Sequence, residues 1–193
     1  MKAGRLSKRE RLEKLLQVVE ADPFLTDEEL SDQFGVSIQT IRLDRLELRI
    51  PELRQRIRTV ATKNTDKVKT LGRAEIVGEL IDLDLNKAGI SILETDKSQA
   101  FERTQIIKGH FIFAMAESLA MAVIDADVAI TGVANIKYRV PVLAGQKLVA
   151  KARVSRVRGG EYFVHVTIHV KEDMVFRGKF ILVSVARQEG MRA

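Results

Sequence analysis

Between Phe34 and Leu48 the chain reads F-G-V-S-I-Q-T-I-R-L-D-R-L-E-L. Its polar members Ser37, Gln39, Thr40, Arg42 and Arg45 are the side-chain types that read nucleic acid. A Gln amide matches the donor and acceptor of an adenine edge, Arg fits guanine or phosphate, and Ser or Thr suits either. This is the chemistry of binding, not of bond making. It requires these groups to leave one face of a helix near its N-terminus, with Val36, Ile41, Leu43 and Leu46 packing the opposite face. Gly35 supplies the permissive backbone for a tight turn before that helix. Lys2, Arg5, Lys8, Arg9 and Arg11 form a basic arm suited to phosphates or the minor groove, and Arg49, Arg54, Arg56 and Arg58 continue the positive character. The bland reading is a three-helix packing module with solvated charges. The coincidence of turn, cap and outward polar groups weighs against it.

Other reactive residue types are sparse. Cys is absent, which removes disulfides and thiolate metal ligands and suits a reducing, cytoplasmic setting. His165 and His169 share a face of an expected strand, yet no third ligand is evident, so no metal site is expected. His110 reads as a packed or capping residue. The formal net charge of +6 and pI of about 9.6 favour an anionic partner. No apolar run is long enough to span a bilayer, and no signal peptide is evident, so no membrane partner is expected.

The elements that position these groups change character along the chain. Leu12, Leu15, Leu16 and Val19 recur at helical spacing, Ser7 and Glu10 form a capping box, and Pro23 ends that helix. Thr26 and Glu29 repeat the box, Ser37 caps the next helix, and Leu53, Ile57, Val60 and Ala61 mark an amphipathic helix after Pro51. Residues 62–70 are polar and patternless, a candidate linker. Beyond Leu71, β-branched and apolar residues alternate with polar ones over 79–85, 88–94, 128–138, 146–157, 161–171 and 174–185, the pattern of strands. Gly159-Gly160 and Glu172-Asp173 fit turns. Residues 110–124 are apolar nearly all round, so they form one helix inside a core. The expected class is α+β: an all-α helix-turn-helix domain over 1–50, winged-type or simple, a linker helix and linker over 51–70, and a C-terminal antiparallel sheet wrapped around one central helix over 71–193.

The segment F-G-V-S followed by T-I-R-L-D-R-L resembles the helix-turn-helix of DeoR-type bacterial regulators, and the second half resembles hot-dog domains, which bind acyl thioesters as dimers. D-P-F-L-T-D-E-E-L, I-P-E-L-R, G-E-L-I-D-L, A-G-I-S-I-L-E, G-H-F-I-F-A-M-A-E-S-L-A-M-A-V-I-D and L-V-A-K-A-R-V together resemble the FapR family, bacterial repressors of fatty acid and phospholipid synthesis. The resemblance covers nearly the whole chain. It implies a homodimer that binds operator DNA and is released by malonyl-CoA, a related acyl-CoA or the malonyl form of acyl carrier protein, with no cofactor. It places Phe101, Lys108, Gly109 and Glu117 at the effector site. Lys108 stands where the family typically has an arginine, keeping the charge without the bidentate fork. Glu117 stands where the family usually has an asparagine, and an ionised Glu repels a malonyl carboxylate.

Two alternatives follow from Glu117 and from the fold. Some hot-dog thioesterases use a carboxylate on the central helix as nucleophile or base, which makes Glu117 a candidate catalyst. A regulator answering to a different acyl-CoA, or to none, is the other. A fused helix-turn-helix favours sensing over turnover, so the expectation is a non-enzymatic regulator. Arg153, Arg156 and Arg158 are expected either to hold CoA phosphates or to guard an edge strand with charge.

Overall fold

The computed structural model describes residues 6–185. Contacts divide the chain into two compact units, one ending at Thr59 and the other starting at Val60.

The first unit is built from α1 (Lys8–Ala21), α2 (Asp27–Phe34), α3 (Ile38–Glu47) and the start of α4 (Leu53–Thr65). The first three starts are each set by a side chain that satisfies amides left free by the first turn. Ser7 Oγ accepts from Glu10 N at 3.4 Å while the Glu10 carboxylate accepts from Ser7 N at 2.9 Å. Thr26 and Glu29 do the same at 3.1 and 2.8 Å, and Ser37 Oγ accepts from Thr40 N at 3.1 Å. Gly35, at φ +62°, turns the chain between α2 and α3. Leu15, Val19, Leu30, Ile41 and Ile50 form the core, with Phe34, Val36 and Leu48 against it. Among the described residues of this unit there is no strand, so the helix-turn-helix is the simple form and not the winged one.

One face of α3 differs from expectation. Leu43 and Leu46, expected to pack inward, are 57% and 74% exposed. Ile41 is fully buried, and helical spacing carries the inner face from it to Asp44, Arg45 and Leu48.

In the second unit, β1 (Glu79–Asp84), β2 (Ala88–Glu94), β3 (Ala129–Tyr138), β4 (Lys147–Arg158), β5 (Glu161–Val170) and β6 (Asp173–Ser184) form one antiparallel sheet in the order β1-β2-β4-β5-β6-β3. Alternation places Leu148, Ala150, Ala152, Val164, Val166, Ile168, Phe176 and Phe180 on its inner face. That face wraps α5 (Gly109–Ala122), whose Ile112, Met115, Ala116, Leu119 and Ala120 are buried. This is the hot-dog arrangement. Gly89 lets β2 reach the helix: a Cβ there would lie 2.8 Å from Val123 Cγ1 and 3.3 Å from Leu119 Cδ1.

Two local expectations are corrected. β4 lies between β2 and β5 as far as Arg153, so Arg153 guards no edge, whereas Arg156 and Arg158 lie beyond the last residue paired with β2. Residues 62–70 are also not a free linker. α4 continues to Thr65, the buried Asn64 donates through Nδ2 to the Leu80 carbonyl at 3.1 Å, Val68 packs on the sheet core, and Thr70 Oγ1 donates to the Met121 carbonyl at 2.8 Å.

Candidate nucleic-acid interface and ligand cleft

The outward face of α3 carries Gln39, Arg42, Leu43 and Leu46, all exposed. Ser37 is exposed, but its hydroxyl serves the helix cap and lies 2.9 Å from Thr40 Oγ1, which is half-buried. Arg42 is 56% exposed and bonds Asp27 through Nε at 3.3 Å. Arg45 corrects the sequence reading. Its side chain is 8% exposed, and Nη2 donates to Asp27 Oδ2 at 3.0 Å while Nη1 donates to the Ile50 carbonyl at 3.4 Å. Its Nε lies 2.9 Å from Asp27 Oδ1 without being aligned to donate. Arg45 therefore faces the interior and fixes α3 against α2.

A second buried pair does the same from the other side. Arg11 meets Asp44 through two bonds, 2.6 and 3.1 Å, with Asp44 4% exposed. That hydrogen-bonded carboxylate raises the Arg11 pKa above the usual guanidinium range. Two residues expected to extend a basic surface are thus turned inward, Arg11 and also Arg56. The latter donates to the Pro23 and Pro51 carbonyls at 3.0 and 2.7 Å, and burial, then the neighbouring Arg45, lowers its pKa. Lys8 and Arg9 remain exposed, paired with Glu47 at 2.8 Å and Glu13 at 3.3 Å. Arg5 lies outside the described residues. The pairing of Asp44 was open to sequence reading, but its partner 33 positions upstream was not. The signal that could have placed Asp44 and Arg45 inside was their spacing of three and four from Ile41.

In the hot-dog unit a cleft of about 360 Å³ opens at the start of α5, lined by Ile106, Ile107, Gly109, Ile112, Tyr138 and residues 139–142. The lining is mostly apolar, with Arg139 as its cation, which suits a chain with an acidic end. Gly109 is the first residue of the helix. Tyr138 Oη donates to its carbonyl at 2.9 Å, and a Cβ at 109 would stand 3.1 Å from the Tyr138 ring. A side chain there would press on Tyr138, which would have to give way by a few tenths of an ångström. Of the residues expected at an effector site, Gly109 alone lines this cleft. Phe101 is 53% exposed in a turn closed by its own amide on the Ile106 carbonyl at 2.8 Å. Lys108 stands at the N-cap without a side-chain cap bond, and Glu117 is half-buried two turns further on. Among the described residues they form no ion pair with each other. Tyr138 and Arg139 escaped sequence reading because the β3 terminus reaches Gly109 only through the tertiary fold.

His110 packs against Phe111 with ring centres 4.3 Å apart. His165 and His169 belong to no group of three potential metal ligands among the described residues.

A tri-helical helix-turn-helix unit followed by a hot-dog unit defines the class, a DNA-binding regulator. Residues 11–67 match the DeoR-like helix-turn-helix domain. The chain is 57% identical over 183 residues to the transcription factor FapR of Thermoanaerobacter sp. (strain X514), covering 95% of this chain and 92% of that one. It is 52% identical over 179 residues to transcription factor FapR of Bacillus subtilis (strain 168), covering 91% and 95%. The chain belongs to the FapR family of transcription factors. Among solved structures, a sigma28-regulated virulence protein of Campylobacter jejuni aligns with a TM-score of 0.62 at 24% identity, over 68% of this chain and 94% of that one. The PaaI protein of the E. coli phenylacetic acid degradation operon aligns at 0.52 and 15%, over 56% and 79%. Both share the fold of the second unit.

Proposed function

We propose that the chain represses fatty acid and phospholipid synthesis genes as a cytoplasmic homodimer on operator DNA, and that malonyl-CoA or malonyl-acyl carrier protein in the hot-dog unit releases it. The observation that carries the reading is the exposed α3 face of Gln39, Arg42, Leu43 and Leu46 in a member of a transcription-factor family. Dimerisation is supported by β3, a ten-residue strand with one unpaired edge and with Ile130 and Val133 more than half exposed. Ligand binding is supported by the apolar cleft beside Gly109, with Arg139 and Lys108 near the helix start as cations for a second carboxylate. Release follows if ligand stabilises a state with lower DNA affinity, by no more than its differential affinity for the two states. The segment from Thr95 to Lys108 and α4 are the elements assigned to that change.

Fluorescence anisotropy on a palindromic duplex from upstream of a fatty acid synthesis gene tests the whole reading. Malonyl-CoA is expected to dissociate the complex, while CoA and acetyl-CoA leave it intact. Binding that no acyl-CoA alters would leave a regulator without this effector. Thiol release in the same samples, abolished in Glu117→Gln, would instead make the hot-dog unit a thioesterase.

A further inference from the structure

The outer face of the sheet carries an ordered array of cations. On β6 Phe176, Gly178 and Phe180 turn inward, leaving Arg177 and Lys179 outward and exposed. On β4 Ala150 and Ala152 turn inward, leaving Lys151 and Arg153 outward and exposed. On β3 Ile136 packs on the core and Lys137 faces out. Strand register aligns these positions into two rows. One runs Arg153, His165, Lys179, Asn135, and the other Lys151, Thr167, Arg177, Lys137. With strands about 4.8 Å apart and alternate residues about 6.8 Å apart along each, the array covers roughly 14 by 7 Å.

Across β4, β5, β6 and β3 the rows contain no carboxylate; continued over β2 they end on β1 at Asp82 and at Asp84, which is paired with Lys87 at 3.0 Å. Among the described residues, Lys137, Lys151, Arg153, Arg177 and Lys179 make no side-chain ion pair or hydrogen bond. Lys137 even stands directly opposite Arg177, and like charges in register destabilise a sheet. An arrangement that costs stability and is not neutralised within the chain calls for an anionic partner. The character of the rows says which kind. The core of a protein–protein interface is rich in aromatic residues and poor in Lys. Over these four strands the rows hold Lys, Arg, Asn, Thr and His, the side chains that contact phosphate; apolar groups begin only at Ile90 on β2 and in the adjoining row of Phe163, Ile181 and Val133.

We propose that this face binds the phosphate backbone of duplex DNA without regard to sequence, adding to the sequence-reading contacts of α3. The inference rests on the proposed DNA-binding role only in that a duplex held by one unit is at high effective concentration for the other.

The test uses the full chain and a variant combining Lys137→Ser, Lys151→Ser, Arg177→Ser and Lys179→Ser. Both are titrated with a duplex selected from a random pool and trimmed to the protected site, with a random-sequence duplex, and with polyglutamate. Because like charges are removed, the variant is expected to melt no lower than the parent. Its sequence preference among duplexes of one length stays as it was. Its affinity for random duplex falls at least tenfold at low salt, and the slope of log affinity against log salt falls by about 3 to 4, near one for each phosphate that is no longer neutralised. Arg42→Ala does the reverse, losing sequence preference while keeping the random-duplex slope. An unchanged random-duplex slope in the fourfold variant overturns the proposal. So does a loss confined to polyglutamate, which would assign the face to an acidic protein. Should the fourfold variant melt early, Lys137→Ser and Lys179→Ser alone are each expected to lower the slope by about one. A parent chain without sequence preference, whose slope still drops in the variant, would refute the reading of α3 and leave this face standing.

Discussion

Asp27 stands between two guanidiniums with opposite duties. Arg45 reaches it from inside the first unit and Arg42 from the surface. Removing the inner partner leaves a mostly buried carboxylate with only the Arg42 contact, so Arg45→Ala is expected to cost about 3 kcal/mol, the low end for a broken buried pair. Chemical denaturation of the full chain, followed by helical circular dichroism, measures this. Arg42→Ala is expected to leave the denaturation midpoint in place and to weaken operator binding and its salt dependence. A fall in stability from Arg42→Ala equal to that from Arg45→Ala would undo this division of labour. Leu43 belongs to the same scale. An exposed leucine one turn after Gln39 on a reading face suits a thymine methyl group. Replacing thymines of a selected site one at a time by uracil, which removes only that methyl, is expected to weaken the parent chain at one position per half-site. Leu43→Ala is expected to bind thymine and uracil equally there. This face was only partly legible. Gln39 and Arg42 are exposed on it, as residue type and turn position led one to expect. Leu43 and Leu46 are misplaced because apolar character was read as burial, whereas the inner face of α3 was taken by charges whose partners lie far off in sequence.

At the scale of elements, local chemistry was the reliable guide. The capping boxes at Ser7 and Thr26 form as their spacing requires, and strand limits agree with the alternation to within a residue, since one face of each strand must be buried. The polar stretch over 62–70 was illegible for the opposite reason. Apart from Val68, its attachments run from Asn64 and Thr70 to backbone carbonyls, which leave no hydrophobic signature. The caps also make stability depend on pH. Glu10 is held below the usual carboxylate range by the Ser7 hydroxyl and then its amide, and Glu29 by the Thr26 amide and then its hydroxyl. A depressed folded-state pKa means the unfolded chain binds more protons in mild acid. The contribution is therefore complete above the unfolded carboxylate range and disappears as pH falls through the lower folded-state values. The chain carrying Glu10→Ala and Glu29→Ala is expected to lose helical signal at a lower temperature at neutral pH and to show a shallower decline on acidification. An acid profile parallel to that of the parent would show that the caps are not its source.

For the whole molecule, the open edge of β3 is the surface to which the proposed dimer is assigned. Lysines at an exposed strand edge block pairing with another copy. Ile130→Lys with Val133→Lys is therefore expected to shift sedimentation from dimer to monomer and to reduce operator affinity strongly, because two half-sites are no longer read together. A dimer that survives both changes would place the interface elsewhere. The cleft at the start of α5 was the least legible part of the whole. Gly109 was expected at a ligand site and lines it, but the cleft wall comes from the end of β3 and the segment after it, and only the closed fold brings these to the start of α5.

The two buried guanidinium–carboxylate pairs that flank α3 have a consequence for the heat of complex formation. Arg11 with Asp44 and Arg45 with Asp27 set the rotation of the helix about its own axis before any duplex arrives. Among the described residues, no segment of the reading head then has to order on contact, and their association is free of the conformational entropy such ordering would exact. Calorimetry over a range of temperatures should accordingly give a heat-capacity change no larger than the contact surface itself accounts for. The far larger change that accompanies folding coupled to binding is not expected from this unit.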